Sequence, residues 1–346
     1  MKSKYNKIFV LLPANYTTGG VELGHQLVDY LAKRSMPVYA VYIYNGGIVP
    51  DAEVPEPYRK YRITICNSIE DNAENMIVIP ETMQEMAREF HHAQMAFWWM
   101  SVDNFTCRYL SASPFQWSKE KSLWRNIKKN VHIALSMLPL ASMDILCYFR
   151  KNKDRMVHLY QSEYAHQYIL THRLGHCEKL SDYINPDLFP KKAIDRAAKK
   201  DIVLYNPAKG YEFTQKIMAA CPGIEFVALR GMSRAQLSEI MDKAKLYIDF
   251  GSFPGKDRLP REAVLHDCCI ITGKLGASAY YEDVPIDEAY KFDVEEKNVP
   301  AIEDKIQYVL SNYDAIAGQF DAYREIVAGE QELFYKEIEA IFTEKE

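Results

Sequence analysis

"DIVLYNPAKGYEFTQKIMAACPGIEFVALRGMSRAQLSEIMDKAKLYIDFGSFPGKDRLPREAVLHDCCIITG", Asp201 to Gly273, is the stretch that decides the fold. It contains the short apolar runs "DIVLYNP", "IEFVALRG", "KLYIDFG" and "CIITG". Between them lie "YEFTQKIMAAC", "SRAQLSEIMDKA" and "PREAVLHD", whose apolar spacing is helical. Runs that are apolar throughout suit strands covered on both faces, and short links between alternating strands and helices imply a parallel sheet. Ser233 and Gln236 are placed as a capping box, a helix-start signal. The expectation is a doubly wound α/β domain.

Working outward, the first half repeats the theme. "KIFVLLPA" reads as a buried strand, "NYTTGG" as a turn, and "PVYAVYIY" as a second strand. Between them "VELGHQLVDYLAKR" places Val21, Leu23, Leu27, Val28 and Leu31 as an amphipathic helix. Next come a strand "NMIVIP", a helix "ETMQEMAREFHH", a strand "AQMAFWWMS", a helical region from about Ser118 to Phe149, a strand "MVHLYQS" and a helix "EYAHQYILTHRL". A chain of 346 residues exceeds one ordinary core. The charged, proline-bearing "NPDLFPKKAIDRAAKKD" reads as a linker near residues 185–200. This gives two Rossmann-like domains, 1–188 and 189–346, facing a cleft, with "EQELFYKEIEAIF" as a final amphipathic helix. In such sheets ligands bind beyond the carboxyl ends of strands.

Bulk properties exclude several classes. A net charge of −5 and the absence of any nucleic-acid-reading signature argue against nucleic acid as a partner. The cysteines number seven, an odd count, with no Cys-x-x-Cys, which fits a reducing cytosol and a cytoplasmic enzyme better than a disulfide scaffold. The lysines before "IFVLLPA" give a weak signal-peptide look, but the run is short and lacks a small-residue cleavage site, so a first strand is expected. Val131 to Phe149 is the longest apolar stretch; His132, Pro139 and Asp144 make it a buried helix rather than a span. Histidines are scattered, and the adjacent His91 and His92 are poor co-ligands, so no metal site is expected. There is no Walker loop, no Gly-x-Gly-x-x-Gly after the first strand and no Gly-x-Ser-x-Gly.

Candidate chemistry lies in loops after strands. Gly19 and Gly20 in "TTGG" permit close backbone approach, and amides at a helix start favour anions or hydroxyl-rich groups; a tight turn alone is the competing reading. Lys209 in "YNPAKG" suits phosphate, or is a surface lysine in a turn. Arg230 in "LRGMS" is a second anion candidate, or pairs with a helix. "GSFPGKDRLPREA", Gly251 to Ala263, crowds Lys256, Asp257, Arg258, Arg261 and Glu262 beside Gly255 and two prolines. Its cations suit a diphosphate and Asp257 a helix cap or arginine partner. Pro260 fits a first helical turn, where Glu262 is expected to fall and to accept from a ribose diol or complement the helix dipole. Gly273, Gly276, Ala277 and Ser278 offer small residues and free amides at another helix start. Asp103, in "WWMSVDNF", is a candidate general base at a strand end, or a turn-forming acid with Asn104. In residues 117–130, Lys121, Arg125, Lys128 and Lys129 fall near one helical face with Trp117 and Trp124 nearby. A solvated face is one reading; peripheral contact with an anionic membrane or a lipid-linked pyrophosphate is the other.

The set "GGVELGHQLVDYLAKR", "YQSEYAHQYIL", "LSDYIN", "YNPAKG", "DFGSFPGKDRLPREAV" and "CCIITGKLGASAYYEDV" resembles, in order, the GT-B nucleotide-sugar glycosyltransferases that build bacterial surface polysaccharides. The resemblance implies that the second domain binds a nucleotide-diphosphate sugar and the first mainly a glycan or lipid-linked glycan acceptor. It also implies no cofactor or obligatory metal, and a last helix, about 330–345, that returns to the first domain. Glu262 matches the second member of the family's acidic pair, which holds the ribose; the first member falls on Pro254. The family's arginine shortly before the lysine matched by Lys209 is missing from "IVLYNPA", and Lys256 or Arg258 is the expected replacement. The expected function is transfer of a sugar in capsule, lipopolysaccharide or exopolysaccharide synthesis. The alternatives are a non-catalytic sugar-nucleotide or glycan binder, which Pro254 keeps open, and a GT-B nucleotide-sugar epimerase, for which no cluster of acids and histidines is found.

Overall fold

The computed structural model describes residues 2–106 and 140–344. The chain divides into two compact units: Met1–Gln161 with Ala165–Leu180 and Tyr335–Glu346, and Ser162–Tyr164 with Ser181–Phe334. Both are built on parallel sheets with helices, the doubly wound pattern read from the sequence.

The first unit has a seven-stranded sheet in the order β3-β2-β1-β4-β5-β6-β7. Its strands are β1 (Ile8–Pro13), β2 (Val38–Tyr44), β3 (Gly47–Ile48), β4 (Met76–Pro80), β5 (Gln94–Trp99), β6 (Met156–Tyr160) and β7 (Cys177–Lys179). Only β3 runs antiparallel, as a short return beside β2. Its described helices are α1 (Gly19–Lys33), α2 (Val102–Thr106), α3 (Leu140–Lys151) and, from Ala165 on, α4 (Glu163–His172). β1 and β5 are buried almost throughout because both sheet faces are covered, which is why neither alternates in sequence. The indole nitrogens in this core are satisfied: Trp98 Nε1 donates to the Leu180 carbonyl at 3.1 Å and Trp99 Nε1 to His158 Nδ1 at 3.0 Å. Order reverses between β1 and β4, so the loops after those strands flank this sheet's switch point.

The second unit has five parallel strands in the order β12-β11-β10-β8-β9. They are β8 (Lys200–Tyr205), β9 (Glu225–Ala228), β10 (Ala244–Asp249), β11 (Cys269–Gly273) and β12 (Lys291–Phe292), with α5 (Tyr211–Ala220), α6 (Arg234–Lys243), α7 (Arg258–Leu265) and α8 (Val299–Ser311) between or after them. The capping box forms as expected: Ser233 Oγ accepts from the Gln236 amide and Gln236 Oε1 from the Ser233 amide. The switch point lies between β8 and β10. The final helix, α9 (Asp321–Phe342), is longer than its amphipathic end suggested; residues to Phe334 belong to the second unit and those from Tyr335 to the first. There Tyr335 stacks on Tyr30 at 4.1 Å, and Lys4 Nζ donates to the Ala340 and Ile341 carbonyls.

One expectation changes. Glu81–Glu89 is a 3-10 segment with non-helical Met83, not an α-helix. Glu81 turns into the protein at its start, where its carboxylate accepts from the Met100 amide at 3.3 Å, and the helical path gives way to that contact. Of the helical region 118–149, the described part, 140–149, is helical and belongs to α3; residues 118–139, with the basic segment 117–130, lie outside the described residues. The cysteines among the described residues are free thiols.

Candidate functional site

At the switch point of the second sheet, two loops meet backbone to backbone. Gly210, after β8, has φ +63°, and any side chain on it would run into Gly251 and Phe250 after β10. Gly251 in turn is where Lys209 lies, and a Cβ there would collide with that side chain. Glycine at both positions is therefore dictated by close approach as well as by φ at Gly210. Buried Asp249 closes β10 by accepting from the Gly251 amide at 2.9 Å and from Tyr247 Oη at 2.8 Å. Burial pushes its carboxyl above the usual range, more than nearby Lys209 and these donors pull it down.

Lys209 Nζ donates to the Ser252 carbonyl at 2.9 Å, pairs with the Asp257 carboxylate and sits over the Phe253 ring at 4.4 Å. Asp257 occupies the N-cap position of α7 without making a side-chain cap bond; its carboxylate serves Lys209 instead. Pro260 is in the first turn of α7, as expected. Glu262 is not: α7 begins at Arg258, so Glu262 sits one turn deeper. It is 4% exposed, with Arg258 Nε at 3.4 Å and Arg234 Nη1 at 3.5 Å. The site thus brings together Lys209, Asp257, Arg258, Glu262 and Arg234; Arg234 was not singled out from sequence.

The other charges of the loop point elsewhere. Lys256 Nζ pairs with Glu330 of α9 at 2.7 Å, and Arg261 is 1% exposed against Asp182 and Glu330. The expectation that Arg261 meets a diphosphate is corrected: its guanidinium is already committed to buried carboxylates. Of the two expected replacements for the family arginine, Lys256 pairs with Glu330 and Arg258 with Glu262. Burial alone would raise the Asp182 carboxyl, but Arg261 and Lys256 outweigh it and hold it below the usual range.

The "TGKLGAS" surface is also corrected. Gly276 does adopt a glycine conformation, φ +67° and ψ −134°, and a Cβ would strike the Phe253 carbonyl. Yet the polar groups face inward: the Ala277 amide donates to the Phe253 carbonyl at 2.8 Å, and the Phe253 amide to the Leu275 carbonyl at 3.0 Å. Buried Ser278 accepts from the Leu275 amide at 3.1 Å and reaches the Gly273 carbonyl. This turn braces the Gly251–Gly255 loop; Ser278 and the Ala277 amide are used inside the protein rather than offered to a ligand. Gly255 is buried within the braced loop, and Arg230 is exposed beyond the end of β9.

In the first unit, Gly19 and Gly20 form the first residues of α1, behind Thr18, which makes no side-chain cap bond. Their amides belong to the helix-start donors that lack an intrahelical partner. Asp103 is half-buried in α2, and Ser101 rather than Asp103 caps that turn, accepting from the Asn104 amide at 3.0 Å. A second residue missed from sequence, after Arg234, is Glu81, directly after β4 at this unit's switch point. It is 2% exposed, with Asn104 Nδ2 at 3.5 Å, and burial lifts its carboxyl to about 7 despite three lowering hydrogen bonds. An acid immediately after a buried apolar strand was the available signal. Among the described residues, no group of three His, Cys, Asp or Glu side chains is arranged to hold a metal ion, and no helix is long and apolar enough to cross a membrane.

No protein-family model matches the sequence. No curated protein sequence matches it either. Solved structures do. HepE of Anabaena, in complex with UDP and glucose, superposes with a TM-score of 0.57 at 11% identity, over 93% of this chain and 94% of that one. Sucrose-phosphate synthase of Thermosynechococcus elongatus gives 0.57 at 12%, over 98% and 95%. WaaG, a glycosyltransferase involved in lipopolysaccharide biosynthesis, gives 0.51 at 11%, over 96% and 98%. One further, longer structure is spanned for only 53% of its length, at a TM-score of 0.46. At such identities the likeness establishes the fold, and the fold is GT-B.

Proposed function

We propose that the chain is a glycosyltransferase that moves a sugar from a nucleotide-diphosphate sugar to a glycan or lipid-linked glycan acceptor in bacterial surface-polysaccharide synthesis. The observation that carries this reading is the meeting of Lys209, Arg258 and Glu262 at the carboxyl-end switch point of the second sheet, on loops whose glycines permit close backbone approach. Sheets of this kind bind nucleotides there. As the bond to the anomeric carbon breaks, negative charge grows on the departing diphosphate, and a fixed ammonium and guanidinium stabilise it. Lys209 would exchange Asp257 for phosphate, and Arg258 would contribute from the first turn of α7. Glu262, held by Arg258 and Arg234, would accept from the ribose hydroxyls. Gly19 and Gly20 would present α1 amides to donor hydroxyls or phosphate, and exposed Arg230 would meet the nucleotide from β9. Asp103 is the proposed general base for an inverting transfer, with Glu81 as a second carboxyl near Asn104.

The solved HepE complex with UDP and glucose supports UDP sugars as the first donors to try. WaaG supports a polysaccharide acceptor, while the sucrose-phosphate synthase shows that the fold by itself does not choose one. A cytoplasmic enzyme whose 117–130 segment touches an anionic membrane belongs to the same reading. Co-sedimentation with anionic vesicles tests that contact, and an absence of binding removes it.

The test is release of nucleoside diphosphate from UDP-, GDP- and ADP-sugars, with and without a lipid-linked glycan. Release that Lys209→Ala abolishes is expected. Tight binding with no release from any donor would identify a non-catalytic binder instead, and no binding at all would end the reading.

A further inference from the structure

We infer that Arg261 is a positioning residue: its guanidinium sets the path of the donor loop and thereby places Lys209, Asp257 and Arg258. This rests on the proposed function for what the loop binds, but not for how the loop is held.

A guanidinium has five N–H donors in a planar fork. Each of the five has a partner here. Nη1 donates to Asp182 Oδ1 at 2.9 Å and to Glu330 Oε2 at 2.7 Å. Nη2 donates to Asp182 Oδ2 at 2.5 Å and to the Lys256 carbonyl at 2.9 Å. Nε donates to the Asp257 carbonyl at 3.1 Å. Two of these acceptors are backbone carbonyls of the donor loop itself. The other three belong to carboxylates on distant parts of the chain, one just after Leu180 and one on α9. Lys256 Nζ joins from the same loop, 2.7 Å from Glu330 and 3.8 Å from Asp182. Two cations and two anions therefore balance in a buried cluster.

Burying four charges is a poor way to gain stability, since desolvation offsets the attraction; what such a cluster can supply is a unique geometry. The geometry fixed here is specific. Arg261 grips carbonyls of residues 256 and 257. Asp257 meets Lys209, Arg258 starts α7, and Glu262 follows Arg261 directly. The fork thus ties two carbonyls of the loop to carboxylates outside it, next to the residues that carry Lys209's partner and Arg258. A lysine would keep the charge but could not make the five-bond pattern.

The test compares wild type with Arg261→Lys and with the charge-balanced pair Arg261→Met and Glu330→Gln. Hydrogen exchange of amides 251–258, thermal midpoints and calorimetric UDP affinity are measured on the full chain. Faster exchange confined to 251–258 is expected in both, with UDP bound about tenfold more weakly and midpoints near wild type. Failure of Arg261→Lys to restore protection separates geometry from charge. Unchanged loop exchange in either folded variant, or full restoration by Arg261→Lys, overturns the inference. Wild type that binds none of UDP, GDP and ADP counts against the proposed function, while the exchange data still decide the role of Arg261.

Discussion

At the scale of single residues, the proposed activity turns on which charges face a ligand and which are consumed inside. In the proposed function Lys209 exchanges Asp257 for phosphate, so Lys209→Ala is predicted to weaken UDP binding by about tenfold to about a hundredfold, the worth of a charge-assisted hydrogen bond. Calorimetry reads this, with the midpoint nearly unchanged. Asp257→Asn is predicted to tighten binding severalfold, because the competing anion is gone; weaker binding would show that Asp257 organises the site instead. Glu81 gives a pH prediction. Its folded carboxyl titrates near 7, above the ordinary 4.5, so the folded state binds the extra proton and the group's contribution weakens as pH rises from 4.5 through 7. The full difference is on the order of 3 kcal/mol. Denaturant unfolding of Glu81→Gln should therefore gain on wild type between pH 5 and 8; parallel curves would refute the assignment. The acid after the strand is visible in "IVIPETM", but its burial is not, because that depends on Met100 and Asn104, well removed in sequence.

At the scale of elements, strand and helix order in the second half was legible because buried parallel strands are apolar without alternation and their helices carry start signals. The finer placement was not. Glu262 falls in the second turn rather than the first, because α7 starts at Arg258, two residues before Pro260. Ser278 looked ligand-facing, yet its hydroxyl ties the turn at Gly276 together. Such pairings involve partners that sequence spacing does not bring together. The bracing turn predicts that Gly276→Ala, forced into φ +67° against the Phe253 carbonyl, loses about 2 to 3 kcal/mol of stability and also weakens UDP binding. Thermal unfolding with parallel calorimetry checks both; a stable variant with wild-type affinity would show that the loop is not braced there.

At the scale of the whole molecule, two doubly wound units and a helix shared between their residue sets make the GT-B fold, and the order of motifs carried that much. Chemistry is where the sequence ran short: Pro254 stands where the resemblance places a donor-sugar carboxylate, and the basic segment 117–130 lies outside the described residues. If diphosphate charge is met by Lys209 and Arg258, turnover should survive metal removal; excess EDTA that stops sugar transfer would contradict this. The most direct measurement is titration of UDP, GDP and ADP into wild type and Lys209→Ala. At least one is expected to bind wild type, stabilising it by about 2.7 kcal/mol at a hundred times its Kd, with this affinity falling at least about tenfold in the variant. No binding by any of the three, or equal affinity in both proteins, would contradict that expectation.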